Sequence, residues 1–364
     1  MATLFGRTWT RKQLAERIGD ISQLATARPH VLSDGRAKGV AAIEVSTGSG
    51  FRFTVLPDRG MDISSAEYAG RSLCWRSATG DVSPTFYQPE GLEWLYGFCG
   101  GLVCTCGLTH FGAPCTDQGK ALGLHGRVSN IPAQDVSVDS GWEGDEYYVG
   151  LRGTVVEASV FGSCLSLKRT ILAFLGQSRL FIHDEVTNIG HDPAPHMMLY
   201  HCNLGFPVVD EGSRLLTPSL MVSPRDGEAD DGKKDYDRFI APKEGFKEKV
   251  YFHDVASAKG RTMAAVVNPK LGFGAYVAYD KRQLPFLIEW KQMGKGNYVV
   301  GVEPGTNLVT GRDKERDAGR LFHLKPGATV NYDLELGALT CAEETAQFAK
   351  DVKKLMAGRK TTIL

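Results

Sequence analysis

Two histidines and a glutamate, far apart in the chain, stand in settings suited to proton transfer. His201 lies in the apolar, strand-like run Leu199–Pro207. A histidine titrates near neutral pH, and apolar neighbours would hold its ring in place. His125 lies in a glycine-rich segment, and Glu303 ends an apolar strand-like stretch. These residue types predict acid/base chemistry on a polar small molecule.

His125 is flanked by Gly123 and Gly126 and is followed by Arg127. We expect the two glycines to let a ligand approach the backbone and the ring, because they have no side chains. Arg127 is then close enough in sequence to contact the same ligand. The alternative is a structural histidine, which is the commoner role for a lone histidine.

His201 is followed two residues later by Asn203. We expect Asn203 to orient the imidazole or to bind the ligand. The alternative for His201 is a core histidine that donates to a backbone carbonyl. His110 lies in another glycine-flanked segment and is the reserve histidine for the site.

Two carboxylates compete for the role of general base. Glu303 ends an apolar strand, where partial desolvation would raise its pKa towards neutrality. Glu289 also lies in an apolar run, directly before Trp290. We favour Glu303, since strand ends tend to face clefts, and we expect Glu289 to contact the ligand and Trp290 to stack on it. The alternative for Glu303 is a turn cap.

Two more polar residues are predicted to bind the ligand. Arg59 precedes Gly60 in a loop between strand-like runs, and its planar guanidinium suits hydroxyl groups or a carboxylate. An ion pair of Arg59 with Asp58 or Asp62 is the alternative. Asn307 closes the segment that contains Glu303.

The composition excludes several classes of function. Lys+Arg and Asp+Glu are both 42, so no basic excess favours nucleic acid or an anionic membrane. No window approaches the roughly 20 apolar residues of a membrane span, and no secretion signal is evident. We therefore expect a soluble cytoplasmic protein. Dinucleotide, phosphate-loop and serine-hydrolase motifs are missing from the sequence.

The eight cysteines are predicted to be reduced thiols. A metal site among Cys99, Cys104, Cys106 and Cys115 is an alternative, although their spacing fits no common zinc motif. We predict no metal and no organic cofactor.

The periodicity predicts an all-β, mainly antiparallel protein with a helix near each end. Apolar residues recur at helical spacing over residues 10–27, with Thr10 as N-cap, and again over 342–357. Between them, runs near period two are separated by turn residues. Because strands follow strands, a sandwich or barrel is favoured over alternating β and α units. No linker marks a boundary, so one domain over 1–364 is expected.

Six segments together resemble the aldose 1-epimerase (galactose mutarotase-like) superfamily, in particular its DUF4432 branch. The matching segments are Leu56–Ile63, Gly100–Leu108, Leu124–Arg127, Val186–Gly190, Leu199–Gly205 and Val302–Asn307. The resemblance implies a β-supersandwich, in which two large twisted sheets pack face to face and the sugar binds in an open cleft.

The resemblance also implies roles for single residues. His125 matches the histidine of a Leu-His-Gly segment, His201 resembles the general acid, and Glu303 matches the general base by position. Arg59 resembles an arginine that holds sugar hydroxyls. The sequence departs from the usual Asn-His-x-x-x-Asn-Leu pattern, because Tyr200 precedes the histidine and the asparagine follows only two residues later.

The function implied is anomer exchange of a sugar by general acid/base catalysis. Glu303 would take the anomeric proton while His201 protonates the ring oxygen. Two alternatives remain open: a sugar isomerase or epimerase acting at carbon, with His125, His201 and Glu303 as metal ligands, and a sugar-binding protein without turnover.

Overall fold

The computed structural model describes residues 1–364 and shows an all-β protein built around two large sheets. From edge to edge, the eight-stranded sheet consists of Gln134–Glu143, Glu146–Ala158, Cys164–Phe174, Arg179–Asn188, Thr329–Leu339, Phe273–Asp280, Arg261–Asn268 and Arg214–Leu216. The seven-stranded sheet consists of Thr362–Ile363, Ser219–Pro224, Lys249–Val255, Phe286–Met293, Tyr298–Gly305, Leu199–Gly205 and Cys104–Cys106. The predicted all-β sandwich is confirmed.

The smaller sheets flank these two. A five-stranded sheet contains Thr26–Val31, Ala41–Ser46, Phe51–Leu56, Asp62–Tyr68 and Arg71–Ser72. Three two-stranded ribbons pair Ala2–Leu4 with Arg7–Trp9, Cys115–Asp117 with Lys120–Leu122, and Ala194–His196 with Phe322–Leu324. Among the paired strands only Thr362–Ile363 runs parallel to its neighbour, so the mainly antiparallel prediction is also confirmed.

The main core fills the space between the two large sheets and contains one buried polar network. Val300 and Val302 of the seven-stranded sheet share a hydrophobic cluster with Leu334 of the eight-stranded sheet. Across the same interface the hydroxyl of Tyr200 donates to Asp184 at 2.6 Å. The sheets are therefore joined by both apolar packing and a charge-assisted hydrogen bond.

The four α-helices are Arg11–Ala15, Gly227–Asp230, Arg312–Asp317 and Ala342–Met356. The predicted C-terminal helix is confirmed, and it buries Phe348 and Val352. None of the helices has the length and apolar character needed to span a lipid bilayer. All eight cysteines are unpaired.

The predicted N-terminal helix over 10–27 is wrong in its extent. Thr10 does form a capping box, but the helix covers only Arg11–Ala15 and is followed by a 3-10 turn at Ile21–Gln23. The Asp20 side chain caps that new turn by accepting from the Ser22 amide at 2.7 Å, which interrupts the helix. The apolar residues of the predicted helix still pack against the core. Their spacing therefore indicates which side chains are buried, and not that the helix is continuous.

Candidate functional site

A cavity of about 360 Å³ opens on the face of the seven-stranded sheet that points away from the main core. Its wall includes His125, His201, Glu303 and Trp290. The structure thus brings together four of the residues singled out from the sequence. The volume is near the lower end for small-molecule sites, which suits a compact ligand.

His201 and Glu303 are placed by the register of two neighbouring strands. Leu199–Gly205 and Tyr298–Gly305 run antiparallel, and Cys202 pairs with Val302. The same register sets His201 opposite Glu303, and cross-strand neighbours on one face lie within contact distance. Nε2 of His201 is 3.2 Å from Oε1 of Glu303. Both side chains are almost fully buried.

The Glu303 carboxylate occupies the space over Gly301, two residues earlier in the same strand. A Cβ atom at Gly301 would lie only 2.1 Å from Oε1 of Glu303. Gly301 is directly opposite Trp290 on the neighbouring strand. The glycine therefore leaves room for the carboxylate beside the tryptophan.

His125 reaches the cavity from a tightly packed loop. Its backbone has a positive φ of 58°, and its amide donates to the Gly112 carbonyl at 3.0 Å. A Cβ at Gly123 would lie 2.0 Å from the Pro89 carbonyl oxygen, and one at Gly126 would lie 2.2 Å from that of His110. These glycines thus allow close contact between backbone segments, and not the ligand approach that we expected.

Aromatic rings surround both histidines. The ring centroid of His125 is 4.8 Å from Trp94 and 5.5 Å from His201. His201 also meets Phe98 and Trp290 edge-on, at 5.2 and 5.4 Å. These contacts hold both imidazoles in a defined orientation.

Burial sets the protonation of the three groups. It lowers the pKa of His201 to about 3 and raises the pKa of Glu303 well above its ordinary value of 4.5, an effect that the charge of Glu248 strengthens. Burial, with His201 as neighbour, also lowers the pKa of His125 far below 6.5. Burial therefore favours the uncharged form of all three groups, two neutral imidazoles and a protonated carboxyl.

Three buried polar atoms in this cavity have no hydrogen-bond partner in the protein. They are Nδ1 of His125, Nδ1 of His201 and Oε1 of Glu303. The 3.2 Å contact of His201 with Glu303 is within ion-pair range, but its angles do not make a hydrogen bond. Since an unsatisfied buried polar group costs about 1–3 kcal/mol, such a cluster is typical of a site that binds a polar ligand.

Arg59 does not line the cavity. Its guanidinium is buried and donates to three backbone carbonyls: Ser129 at 2.7 Å, Val82 at 2.7 Å and Gly97 at 2.9 Å. Neither predicted partner, Asp58 nor Asp62, is engaged by it. With its nitrogens bound to backbone, Arg59 braces loops and has little left to offer a ligand.

Glu289 lies on the opposite face of the sheet from Trp290, as adjacent strand residues must. Its Oε2 is 3.3 Å from Nε2 of His253, whose Nδ1 is 2.7 Å from the Ser219 hydroxyl. All three are buried away from the cavity. The structure therefore separates the two glutamates that the sequence left in competition.

Asn203 and Asn307 are structural in their contacts and do not line the cavity. Asn203 donates to the carbonyls of Gly101 and His201, at 3.2 and 2.9 Å. Its position beside the His201 ring favours the charged form of that histidine, against the larger effect of burial. Asn307 donates to Glu315 at 3.2 Å and to the Arg320 carbonyl at 3.0 Å.

His110 and Arg127 lie on the other side of the loop that carries His125. They line a separate cavity of about 320 Å³. Nε2 of His110 is 2.9 Å from the Gly123 carbonyl oxygen, and burial lowers the pKa of His110 to about 4. His110 therefore supports the loop from behind. Arg127 is exposed, with its guanidinium 6.0 Å from the Tyr87 ring.

Comparison with known proteins shows which family the chain belongs to. The profile of the family described as "Domain of unknown function (DUF4432)" matches residues 37–338. That range covers most of the chain.

The chain belongs to the DUF4432 family.

This DUF4432 protein resembles solved structures over nearly its whole length. A candidate aldose 1-epimerase from Klebsiella pneumoniae is 29% identical, with 98% of each chain covered and a TM-score of 0.90. A galactose mutarotase-like protein from Clostridium acetobutylicum is 13% identical, with 87% and 99% covered and a TM-score of 0.58. Galactose 1-epimerase from Lactobacillus acidophilus is 12% identical, with 86% and 98% covered and a TM-score of 0.55. The last two share the fold alone. No curated protein matches the chain in sequence.

The structure of this DUF4432 protein shows further residues in the cavity wall that were not singled out from the sequence. Trp94 and Phe98 stack at 4.5 Å beside a 3-10 turn at Glu93–Gly97. Arg225 and Glu248 form an ion pair of 3.0 Å at the mouth. Neither residue pair was strongly indicated by the sequence, because 3-10 turns and loops have no periodicity that would mark the residues facing a cavity. No three His, Cys, Asp or Glu residues are grouped to hold a metal ion.

Proposed function

We propose that this DUF4432 protein is an isomerase of the aldose 1-epimerase type, which interconverts the anomers of a sugar by acid/base catalysis. The observation that carries the proposal is the 3.2 Å contact between His201 and Glu303, with the His125 ring 5.5 Å away. The likeness to the Klebsiella candidate aldose 1-epimerase supports it.

The reaction needs an acid and a base side by side. The anomeric oxygen and the ring oxygen are both bonded to C1, so the groups that serve them must be neighbours, as His201 and Glu303 are. Ring opening starts from the ion-pair form, in which the one proton of the pair has passed from Glu303 to His201. The carboxylate of Glu303 then takes the proton of the anomeric hydroxyl, and the imidazolium of His201 protonates the ring oxygen. The C1–O5 bond breaks, and a carbonyl forms at C1.

Ring opening leaves Glu303 protonated and His201 neutral, the arrangement that burial favours. After rotation about C1–C2, closure runs in reverse. Neutral His201 takes the proton of the O5 hydroxyl as it attacks C1, and Glu303 protonates the carbonyl oxygen. The pair carries one proton throughout, so no proton is exchanged with bulk water during a turnover.

His125 and Trp290 have supporting parts in this proposal. His125 is neutral and hydrogen-bonds a hydroxyl next to the reacting carbon. Trp290 forms an apolar wall against the sugar, with its indole nitrogen fixed by a 2.8 Å hydrogen bond to Glu248. Neither role requires a metal or an organic cofactor.

The test is anomer exchange in the variants Glu303→Gln and His201→Asn, followed by NMR saturation transfer across a monosaccharide panel. Both should exchange about 10²–10⁴-fold more slowly than the wild type, the usual contribution of proton transfer by a side chain. Glu289→Gln is the matched control, because it makes the same change on the other face of the sheet. Circular dichroism checks that each variant is folded.

Wild-type exchange rates in folded Glu303→Gln and His201→Asn would contradict the proposal. So would stoichiometric bound metal needed for activity, which would favour an isomerase acting at carbon. Sugar binding without exchange in the wild type would identify a binding protein.

A further inference from the structure

A second cavity, of about 320 Å³, lies on the other side of the loop that carries His125. Its volume is within the usual range for small-molecule sites. Gly123 and Gly126 line this rear cavity, whereas His125 lines the front cavity, the one that contains His201 and Glu303. The loop therefore separates two cavities, and the proposed acid/base reaction uses only the front one.

Two cationic side chains of the rear cavity have no ion-pair partner. Lys120 and Arg127 are exposed and line the cavity, and neither forms a salt bridge. Lys120 lies opposite Asp117 in its two-stranded ribbon. Asp117 is already bound by Arg312 and Arg316, each at 2.7 Å. Two cations of the rear cavity are therefore left without a carboxylate.

The one carboxylate that lines the rear cavity already has donors. Glu157 is buried. Its Oε2 accepts from the Leu108 amide at 2.7 Å, and its Oε1 accepts from the Thr109 hydroxyl at 2.6 Å. Because Lys120 and Arg127 are the only other charged residues in the wall, the cavity carries one excess positive charge.

The glycines of the rear cavity offer donors and not acceptors. The Gly123 carbonyl oxygen is 2.9 Å from Nε2 of His110, and the Gly126 carbonyl accepts from the Tyr87 hydroxyl at 3.0 Å. The amides of Gly123 and Gly126 donate to no backbone acceptor. The wall therefore combines engaged acceptors with unused donors, an arrangement that suits a ligand rich in acceptors.

We propose that the rear cavity binds a small molecule that carries an oxyanion, either a carboxylate or a phosphate ester. Lys120 and Arg127 provide the charge, and the amides of Gly123 and Gly126 are further donors. A guanidinium presents its donors in a planar fork that matches either oxyanion, and hydrogen bonds with ionised partners are the stronger kind. The site is separate from the front cavity and does not depend on the proposed function.

Three compounds with one carbon skeleton test the ligand class: glycerol 3-phosphate, glycerate and neutral glycerol. Calorimetric titration of the full chain measures their binding. At least one of the two anions should bind in a one-to-one ratio, about tenfold or more tightly than glycerol. Its affinity should fall as salt is added, because salt screens exposed charges. The order of the two anions shows whether the site favours phosphate or carboxylate.

Variants locate the anion in the rear cavity. Arg127→Gln and Lys120→Gln should each weaken its binding about tenfold, since each removes a charged donor. Arg28→Gln removes an exposed arginine of the five-stranded sheet and should leave binding unchanged. Arg225→Gln removes the arginine at the mouth of the front cavity and should also leave it unchanged. Unfolding midpoints check that each variant is folded.

Three results would overturn the proposal. The first is that neither anion binds the wild type more tightly than glycerol does. The second is an affinity for the anion that is the same in Arg127→Gln and Lys120→Gln as in the wild type. The third is weaker binding in Arg225→Gln alone, which would place the anion in the front cavity.

Discussion

The raised pKa of Glu303 predicts a pH-dependent gain of stability in Glu303→Gln. In the folded protein burial keeps Glu303 protonated above its ordinary pKa of 4.5. In the unfolded chain the same group loses its proton near 4.5. As pH rises above that value, the unfolded state is stabilised relative to the folded state, so the wild type loses free energy of unfolding. Glutamine keeps the shape and removes the titration.

The size of the effect follows from proton counting. One proton difference corresponds to about 1.4 kcal/mol per pH unit. His201 works against Glu303 between pH 4.5 and 6.5, because the unfolded histidine holds a proton that the folded one, with a pKa of about 3, does not. In that window the wild-type pair contributes no slope. Above pH 6.5 it contributes a falling slope for as long as the folded Glu303 keeps its proton, and the variant lacks this slope.

The free energy of unfolding of Glu303→Gln minus that of the wild type should therefore rise with pH from about 4.5 upward, at up to about 1.4 kcal/mol per unit. Urea denaturation at half-unit steps from pH 4 to pH 8 measures this difference. The variant His201→Asn should show the opposite pH dependence. Its free energy of unfolding relative to the wild type should increase as pH falls below 6.5. Parallel stability curves for wild type and both variants would refute the assigned protonation states.

Substitutions at three further positions test other parts of the structure. Tyr200→Phe removes the hydroxyl that joins the two large sheets, and it should lower the free energy of unfolding in urea by about 1.5–3 kcal/mol with anomer exchange unchanged. Gly301→Ala puts a Cβ where the Glu303 carboxylate lies, and it should slow exchange by up to about a hundredfold with little change in the unfolding midpoint. Arg59→Ala leaves three carbonyls without a charged donor and should cost about 3 kcal/mol or more in urea denaturation; Arg59→Lys should restore only part, because an ammonium lacks the guanidinium fork.

The sequence predicted the fold class and four residues of the cavity wall. It also led us to place two adjacent strand residues in the same site, which strand geometry does not allow. Glu289 and Trp290 are adjacent in one strand and so point to opposite faces. A strict use of that rule would have removed Glu289 from the predicted site. The same rule places His201 and Asn203 on one face, yet Asn203 turns to the backbone carbonyls of Gly101 and His201.

Other errors had no remedy in the sequence. Arg59 was chosen because a guanidinium suits hydroxyls, but the same fork suits the carbonyls of three loops that approach it only in the fold. Trp94 and Phe98 lie in and beside a 3-10 turn, and no periodic pattern separates an aromatic cavity wall from core packing. The N-terminal helix failed where Asp20 caps a new turn, a local hydrogen bond that outweighs helical spacing.

The pairing of His201 with Glu303 depends on the one quantity that the sequence withholds, the register of strands a hundred residues apart. Once that register is set, both side chains are fixed to the same face of a sheet that is buried on each side. A slip of either strand by one residue would turn its own side chain towards the core. The strand register is also enforced by the core face, where Tyr200 reaches Asp184. The interactions that stabilise the sandwich therefore also keep the proposed acid and base in register. The apolar packing of Val300 and Val302 holds that register as well, which is why loss of the Tyr200 hydroxyl alone is expected to lower stability and not the rate of exchange.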